Sequence, residues 1–254
     1  MLNIGVAGGL GRMGRAIIQS IGENPALRLT STWERSGTSG IGEKHSGADH
    51  CVVGAGVSGP MDVAIDFTAP EATVALASWC ADNKTPLVIG TTGLEEHHHQ
   101  ALNQAAEQVA IVQAPNMSVG VNVLVALVSE AARMLGPDFD LEVIESHHRR
   151  KKDAPSGTAM RLVEALLAAR EGSSAVFERY GMIGERPKNA IGVQTIRGGD
   201  VVGEHTVFYL GDGERVELTH RATDRGIFAR GALRAARWVV GRPAGRYSMN
   251  DVLA

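Results

Sequence analysis

Short apolar runs of strand length alternate with longer segments of helical period through the first half of the chain. Residues 2–7, 27–33, 63–67, 86–89 and 109–113 read as strands, and 12–21, 71–82 and 95–108 read as the helices between them. This alternation predicts a parallel sheet covered by crossover helices. Near-continuous hydrophobicity in the runs suits strands buried on both faces. Residues 36–60 are rich in Gly and Ser and show no period, so they are expected as a surface connection with at most one short element. After Asn116 the texture changes to a long apolar helix over 119–134, a strand over 141–145, a polar basic loop and a helix over 156–170. Alternating strands at 192–197, 204–210 and 215–220 read as antiparallel sheet, and the last helix spans 227–240.

The 254 residues suit one large domain or two modest ones. With 44% hydrophobic and 21% charged residues, the composition excludes a wholly disordered chain. The formal charge of −3 gives no polycationic field for a phosphate backbone, so bulk nucleic-acid binding is not expected. Cys51 and Cys80 are too few for a disulfide framework and read as reduced thiols, which favours the cytoplasm. No stretch is expected to reach the roughly 18 apolar residues of a membrane span. The first apolar run has no basic segment before it and is too short for a signal-peptide core, so a soluble chain without a targeting segment or membrane partner is expected.

Glycine is in excess, at 31 residues, which points to tight turns or to backbone approaching a ligand. Gly8, Gly11 and Gly14 follow a predicted strand and open a predicted helix. There they permit a tight turn and close approach of a pyrophosphate, whose charge the helix N-terminus receives. Leu10 stands where the usual fingerprint has its middle glycine, and Gly9 is placed to supply that flexibility instead. Arg12 and Met13 at the helix start are further candidate contacts. Glu34 lies 20 residues beyond Gly14, at the end of the second strand, where a carboxylate can accept from ribose hydroxyls; Arg35 beside it favours a 2′-phosphate. Together they argue for a dinucleotide site that tolerates both NADH and NADPH. The turns at 66–68, 90–93 and 114–117 each follow a strand of the same sheet and should wall the cleft. Their candidate contacts are Phe67, Gly90, Thr91, Thr92, Ala114, Pro115, Asn116 and Met117.

The densest chemistry is the run from Glu145 through Thr158, which joins a strand to a helix. Ser156 is a good N-cap, and the backbone around Gly157 and Thr158 would form a site for a carboxylate. His147 and His148 can transfer protons near neutral pH, and Lys151 can give a proton or pair with a carboxylate. A small dianion with a step that needs a proton fits this set. The competing reading is a solvated charge run or a local nucleic-acid patch; the paired histidines and the helix start weigh against it. His97, His98 and His99 do not share a helix face, no Cys or acidic set completes a metal site with them, and solvent exposure is expected. No metal is expected.

The stretch E-S-H-H-R-R-K-K-D-A-P-S-G-T, with G-G-L-G-R-M-G, D-F-T, G-T-T-G and the later G-G-D-V-V-G-E-H-T, strongly resembles bacterial dihydrodipicolinate reductases. The likeness runs from Leu2 nearly to the C-terminus. It departs at Ser146, where Ala is commoner, at Leu10, and between Arg35 and Met61. The resemblance implies an α/β chain with a Rossmann-type dinucleotide-binding domain, residues 1–117 plus 228–254. Residues 118–227 would be an inserted α+β domain with a mixed, largely antiparallel sheet, which binds substrate and builds a homotetramer. It also implies reduction of a cyclic imine dicarboxylate to tetrahydrodipicolinate, in the diaminopimelate route to lysine, with NADH or NADPH. His147 would be the acid/base group and Lys151 the proton donor, while His148, Lys151, Ser156, Gly157 and Thr158 would hold the substrate carboxylates. Rivals are another nicotinamide enzyme such as an aspartate dehydrogenase, against which the 147–158 loop speaks, and a non-catalytic redox sensor, which would need neither His147 nor Lys151.

Overall fold

The computed structural model describes every residue of the chain except Asp49. The first elements are β1 (Leu2–Ala7), α1 (Arg12–Gly22), β2 (Leu27–Trp33), β3 (Lys44–His45), β4 (Ala48–Gly54), β5 (Val63–Asp66), α2 (Pro70–Asp82), β6 (Leu87–Ile89), α3 (Glu96–Ala106) and β7 (Ala110–Gln113). They are followed by α4 (Val119–Leu135), β8 (Asp140–His147), α5 (Gly157–Ala169), β9 (Ser174–Val176), β10 (Ala190–Arg197), β11 (Gly203–Gly211), β12 (Glu214–Ala222), α6 (Gly226–Val239), β13 (Gly245–Tyr247) and α7 (Met249–Leu253). The chain forms two units, Met1–Val119 with Gly226–Ala254, and Gly120–Arg225.

In the first unit the strand order is β13-β7-β6-β5-β1-β2-β4-β3, parallel throughout except for β3 at the edge. The order turns back at β1, which lies between β2 and β5, so the turn after β1 sits at the switch point where open α/β sheets bind ligands. Alternate residues of each strand feed two cores. Ile4, Val6, Ile65 and Val112 meet α1 and α6 on one face, and Ala64, Leu87, Ile89 and Ile111 meet α2 and α3 on the other. Cys51 and Cys80 are free and buried; burial, with Asp66 nearby, pushes the Cys80 thiol up to about 12, so it stays protonated. The glycine-rich connection contains more order than its composition signals. β4 is seven residues long and joins the sheet parallel to β2, pairing Thr32 with Val53 and Trp33 with Gly54. β13 and α7 also follow the helix expected to be last.

The second unit has a five-stranded sheet in the order β12-β11-β8-β10-β9. β11 runs antiparallel to both β8 and β12, but β10 runs parallel to β8, from Ile191 against Leu141 to Arg197 against His147. The sheet is mixed, as expected, but the reading of the strand at 192–197 as antiparallel is corrected: α5 serves as the crossover between β8 and β10, and alternation along a strand does not encode its direction. Leu162, Val163 and Leu166 of α5 and Leu124, Val128 and Ala132 of α4 close one core with Leu141, Val143, Ile191, Val193, Val207 and Tyr209. The Tyr209 hydroxyl donates to the Val128 carbonyl at 2.6 Å, a buried bond that joins sheet to helix.

Residues 119–138 also correct the expectation that no segment is span-length, since by length and composition alone they could cross a bilayer. In the fold α4 is tied into the second unit by Leu124, Val128 and Ala132 and carries a surface Arg133–Glu130 ion pair.

Gly231 of α6 gives a test in which two effects compete. Gly→Ala inside a helix ordinarily stabilises by about 0.5–1 kcal/mol. Here an added Cβ would lie 1.7 Å from the Met117 carbonyl oxygen, a backbone atom that cannot rotate away. Gly231→Ala should therefore destabilise, by roughly 1–3 kcal/mol for overpacking, as read by urea denaturation; a more stable variant would refute the contact.

Candidate active site

At the end of β1 the backbone turns through Gly8 at φ +65°, a conformation that favours glycine. The Gly11 N–H donates to the Gly8 carbonyl at 2.9 Å, and Gly11 caps α1. A Cβ at Gly14 would lie 2.1 Å from the Gly8 carbonyl oxygen, so the helix can approach the turn this closely only without a side chain there. Glu34 accepts the Leu10 N–H at 2.7 Å and so closes on the same turn from the end of β2. Gly8, Trp33, Glu34, Arg35, Thr68 and Ala72 are among the walls of a cavity of about 560 Å³ beside it. Glycine turn, helix start, carboxylate and cavity together fit a dinucleotide.

The turns after β5 and β6 are joined by Asp66, which has no exposure. Its carboxylate accepts from the Thr68 N–H at 3.1 Å, the Thr68 hydroxyl at 2.5 Å, the Thr91 hydroxyl at 2.9 Å and the Thr73 hydroxyl. The Phe67 ring lies against Gly90, where a Cβ would sit 2.2 Å from it. Phe67, Gly90 and Thr91 are thus brought together, while Thr92 and Pro115 are exposed. Ala114 and Met117 are buried in the core, and Asn116 caps its own turn by accepting the Ser118 N–H at 2.9 Å. Arg12 is exposed and Met13 half-buried at the start of α1.

In the second unit, the sheet face that packs on α5 changes character along its strands. Leu141 and Val143 of β8 are followed on that face by Glu145 and His147; Ile191 and Val193 of β10 by Thr195 and Arg197; Tyr209 and Val207 of β11 by His205 and Gly203. Register aligns these changes: Thr195, Glu145, His205 and His220 form one row across four strands. Beyond it, His147 lies beside Arg197. The N-terminus of α5 meets the polar end of this face. Ser156 accepts the Ala159 N–H as N-cap, gives its own N–H to Glu145 at 3.0 Å, and bonds His205 Nε2 at 3.1 Å.

Among the members of the basic run, Arg149, Arg150 and Lys152 are exposed, as a solvated run would be. Lys151 is turned inward and pairs with Asp153 at 2.9 Å, and the Lys151–His148 turn is closed by a backbone bond of 3.0 Å. His148 is half-buried, with Nε2 3.2 Å from Arg225. Its N–H donates to the Val201 carbonyl at 2.7 Å, so the G-G-D-V-V-G segment holds this loop in place. Gly157 is exposed and Thr158 half-buried at the start of α5.

Burial alone would raise the Glu145 carboxyl, but hydrogen bonds from Arg197, His147 and the Ser156 N–H hold it below the ordinary range. Burial lowers His147, and Lys151 and Arg197 add to this; Glu145 opposes without reversing it, so the ring is neutral at neutral pH. His205 is pushed down to about 4, by burial first and then by His147.

Glu145, Arg197, His205 and Asp66 carry this geometry and were not singled out from the sequence. Arg197 and Glu145 are 52 positions apart, and only strand register brings them together. His98 departs from its expected exposure: it is 4% exposed, and its Nδ1 accepts the Glu95 N–H at 2.9 Å in a capping box. Glu95, His97 and His98 do bring ligand atoms within 4.8 Å of one another, an acidic partner the sequence did not suggest. The Nδ1 bond leaves the proton on His98 Nε2, which disfavours that nitrogen as a ligand.

A Rossmann-type sheet with a glycine turn at its switch point, together with a second unit bearing a buried histidine, a lysine and a capped helix start, defines a nicotinamide-dependent oxidoreductase. The family model of the dihydrodipicolinate reductase N-terminus matches residues 2–117, and that of its C-terminus matches residues 120–253. The chain belongs to the dihydrodipicolinate reductase family. It is 49% identical to the 4-hydroxy-tetrahydrodipicolinate reductase of Myxococcus xanthus, covering 100% of this chain and 98% of the relative. With that of Nitratidesulfovibrio vulgaris it shares 50% identity, over 97% of each chain. Among solved structures, a dipicolinate-bound dihydrodipicolinate reductase from Paenisporosarcina sp. TG-14 superposes with a TM-score of 0.82 at 22% identity, covering 98% of this chain and 97% of that one. The aspartate dehydrogenase of Thermotoga maritima shares the fold more loosely, with a TM-score of 0.51 at 11% identity over 93% of this chain and 96% of that one.

The depressed His205 gives a pH test. The unfolded chain binds a proton near pH 6.5 that the folded chain refuses until about pH 4, so stability is lost as pH falls through this window. The His205 contribution amounts to about 3 kcal/mol at 1.36 kcal/mol per unit. The gap in unfolding free energy between wild type and His205→Asn should shrink by about that amount from pH 7 to pH 4, measured by urea denaturation. A gap constant with pH would show that His205 is not held neutral.

Proposed function

We propose that the chain reduces 4-hydroxy-tetrahydrodipicolinate to tetrahydrodipicolinate in the diaminopimelate route to lysine, with Lys151 giving the proton and His147 serving as the acid/base group. The observation that carries this reading is the convergence of Lys151, His147 and the Ser156-capped start of α5 at the polar end of one sheet face. Two carboxylates on a small ring suit that arrangement: His148, Lys151, Ser156, Gly157 and Thr158 offer donors and a helix N-terminus. A bound nicotinamide would supply the hydride, and the ring's 4-hydroxyl leaves as water, so that one hydride, one proton and one lost water convert the substrate to the product. As electron density grows on the imine nitrogen or a neighbouring carbon, the Lys151 ammonium stabilises it and passes a proton. His147 enters neutral, so it accepts at Nε2 until the negative substrate, opposing Lys151 and Arg197, raises its affinity for a proton. Lys151 is held by Asp153 in the free protein, and the substrate carboxylate would compete for it.

On the cofactor side, Gly8, Gly11 and Gly14 would cradle the pyrophosphate with Arg12 and Met13 at the helix start. Glu34 would take the ribose hydroxyls and Arg35 a 2′-phosphate, so both NADH and NADPH are used. Phe67, Gly90, Thr91, Thr92 and the 114–117 turn would line the nicotinamide end. The second sheet's other face carries an apolar patch, with Ile144, Phe208 and Leu210 half-buried and Ile196 52% exposed, beside the Glu142 ion pairs with Arg179 and Arg186. That apolar face supports a homotetramer, in a cytoplasmic enzyme.

Oxidation of each cofactor, followed by absorbance with substrate generated in place from pyruvate and aspartate semialdehyde, tests the reaction. Lys151→Ala should lose about 10²- to 10⁴-fold in turnover, the range for a general acid, with cofactor affinity nearly intact. Turnover spared with cofactor binding lost would overturn the assignment. Light scattering after size exclusion should give four chains per particle, and charge placed on the apolar patch by Phe208→Glu should lower that number. A monomeric wild type would remove the tetramer.

A further inference from the structure

Glu145 is wholly buried and yet accepts five hydrogen bonds. Its Oε2 accepts from His147 Nδ1 at 2.5 Å and Arg197 Nη1 at 2.9 Å. Its Oε1 accepts from Arg197 Nη2 at 2.7 Å, the Ser156 N–H at 3.0 Å and the Thr195 hydroxyl at 3.2 Å. A carboxylate so engaged offers no proton, so His147 Nδ1 must be the donor, and the neutral ring keeps its lone pair at Nε2. The Nε2 edge lies over Gly203, where a Cβ would stand 2.9 Å from it. Arg197 Nη2 also donates to the Asp153 carbonyl at 2.7 Å, and Asp153 holds Lys151. One guanidinium thus reaches both the partner of His147 and the segment of Lys151.

We propose that Glu145 and Arg197 are positioning residues for the reduction: their buried pair fixes His147 in the Nδ1–H tautomer with Nε2 over Gly203, and ties down the segment that carries Lys151. A buried ion pair kept only for stability would have no need of a fifth bond to an imidazole, and such pairs contribute little net stability against an apolar substitute. The tautomer half stands on geometry alone; the kinetic half rests on the reductase reading above.

Two-bond proton–nitrogen correlation spectra of the full-length protein with ¹⁵N-labelled histidine, at neutral pH, read the tautomer directly. His147 is assigned by loss of its signals in His147→Gln. Wild type should show a pyrrole-type Nδ1 and a pyridine-type Nε2 at His147. In Glu145→Gln the amide offers only one acceptor atom, so the Nε2–H form should appear. Turnover should fall about 10- to 100-fold, as for loss of a residue that orients a ligand from behind, with cofactor KM within about twofold, since the substitution removes nothing the cofactor touches. Arg197→Lys keeps the charge but loses the fork, so turnover should fall while the tautomer survives. If Glu145→Gln does not fold, Gly203→Ala crowds Nε2 with the ion pair intact and should shift the His147 signals and lower turnover. An Nε2–H ring in wild type, or Glu145→Gln turnover within about twofold of wild type, would overturn the proposal. A wild type with the expected tautomer but no reductase activity would sink the reaction and leave the positioning of His147 standing.

Discussion

A carboxylate with no access to water obliges its surroundings to supply what water would have given. In the second unit that carboxylate is Glu145, and much of the local structure follows from satisfying it. β10 must run parallel to β8, because that direction and register set Thr195 beside Glu145 and Arg197 beside His147. α5 must begin where it does, because the Ser156 N–H is one of the donors. The same helix start, once fixed, presents its N-terminus beside His147 and Lys151. The apolar part of the face anchors the sheet to α5, and the polar end inherits that rigidity.

The two units handle negative charge by different means. In the first, glycine removes side chains so that backbone N–H groups and a helix terminus can face a phosphate, and Asp66 is quieted by threonine hydroxyls that tie two turns together. In the second, cationic side chains and imidazoles do the work, and a backbone carbonyl of the G-G-D-V-V-G segment holds their loop. The first arrangement suits a diphosphate, met by shape. The second can both hold carboxylates and move a proton.

Local signals carried a good part of this into the sequence. The β1 turn and α1 were legible because glycine spacing, an apolar strand and a helical period coincide within twenty residues, and Ser156 because an N-cap is a local device. The loop from Glu145 to Thr158 was legible as a motif. What was illegible depends on register: Arg197 has no local feature that marks it, and Glu145, though it opens the motif, shows no role until β10 and β11 are laid beside it. The same is true of β4, whose polar opening hides a strand that pairing with β2 and β3 stabilises, and of His98, whose burial comes from a cap rather than an apolar period. The direction of β10 needed the crossover through α5, which no alternation of residues announces.

Arg149, Arg150 and Lys152 remain exposed around the inward-turned Lys151. They lie within two residues of it along the chain, so their charges surround it at short range. For the doubly negative ring of the proposed reaction they would form an attractive rim that acts before any contact is made, on capture rather than on the chemical step. Their influence therefore belongs to the encounter: it fades as ionic strength rises, and in a crowded cell it favours small dianions over neutral metabolites of the same shape.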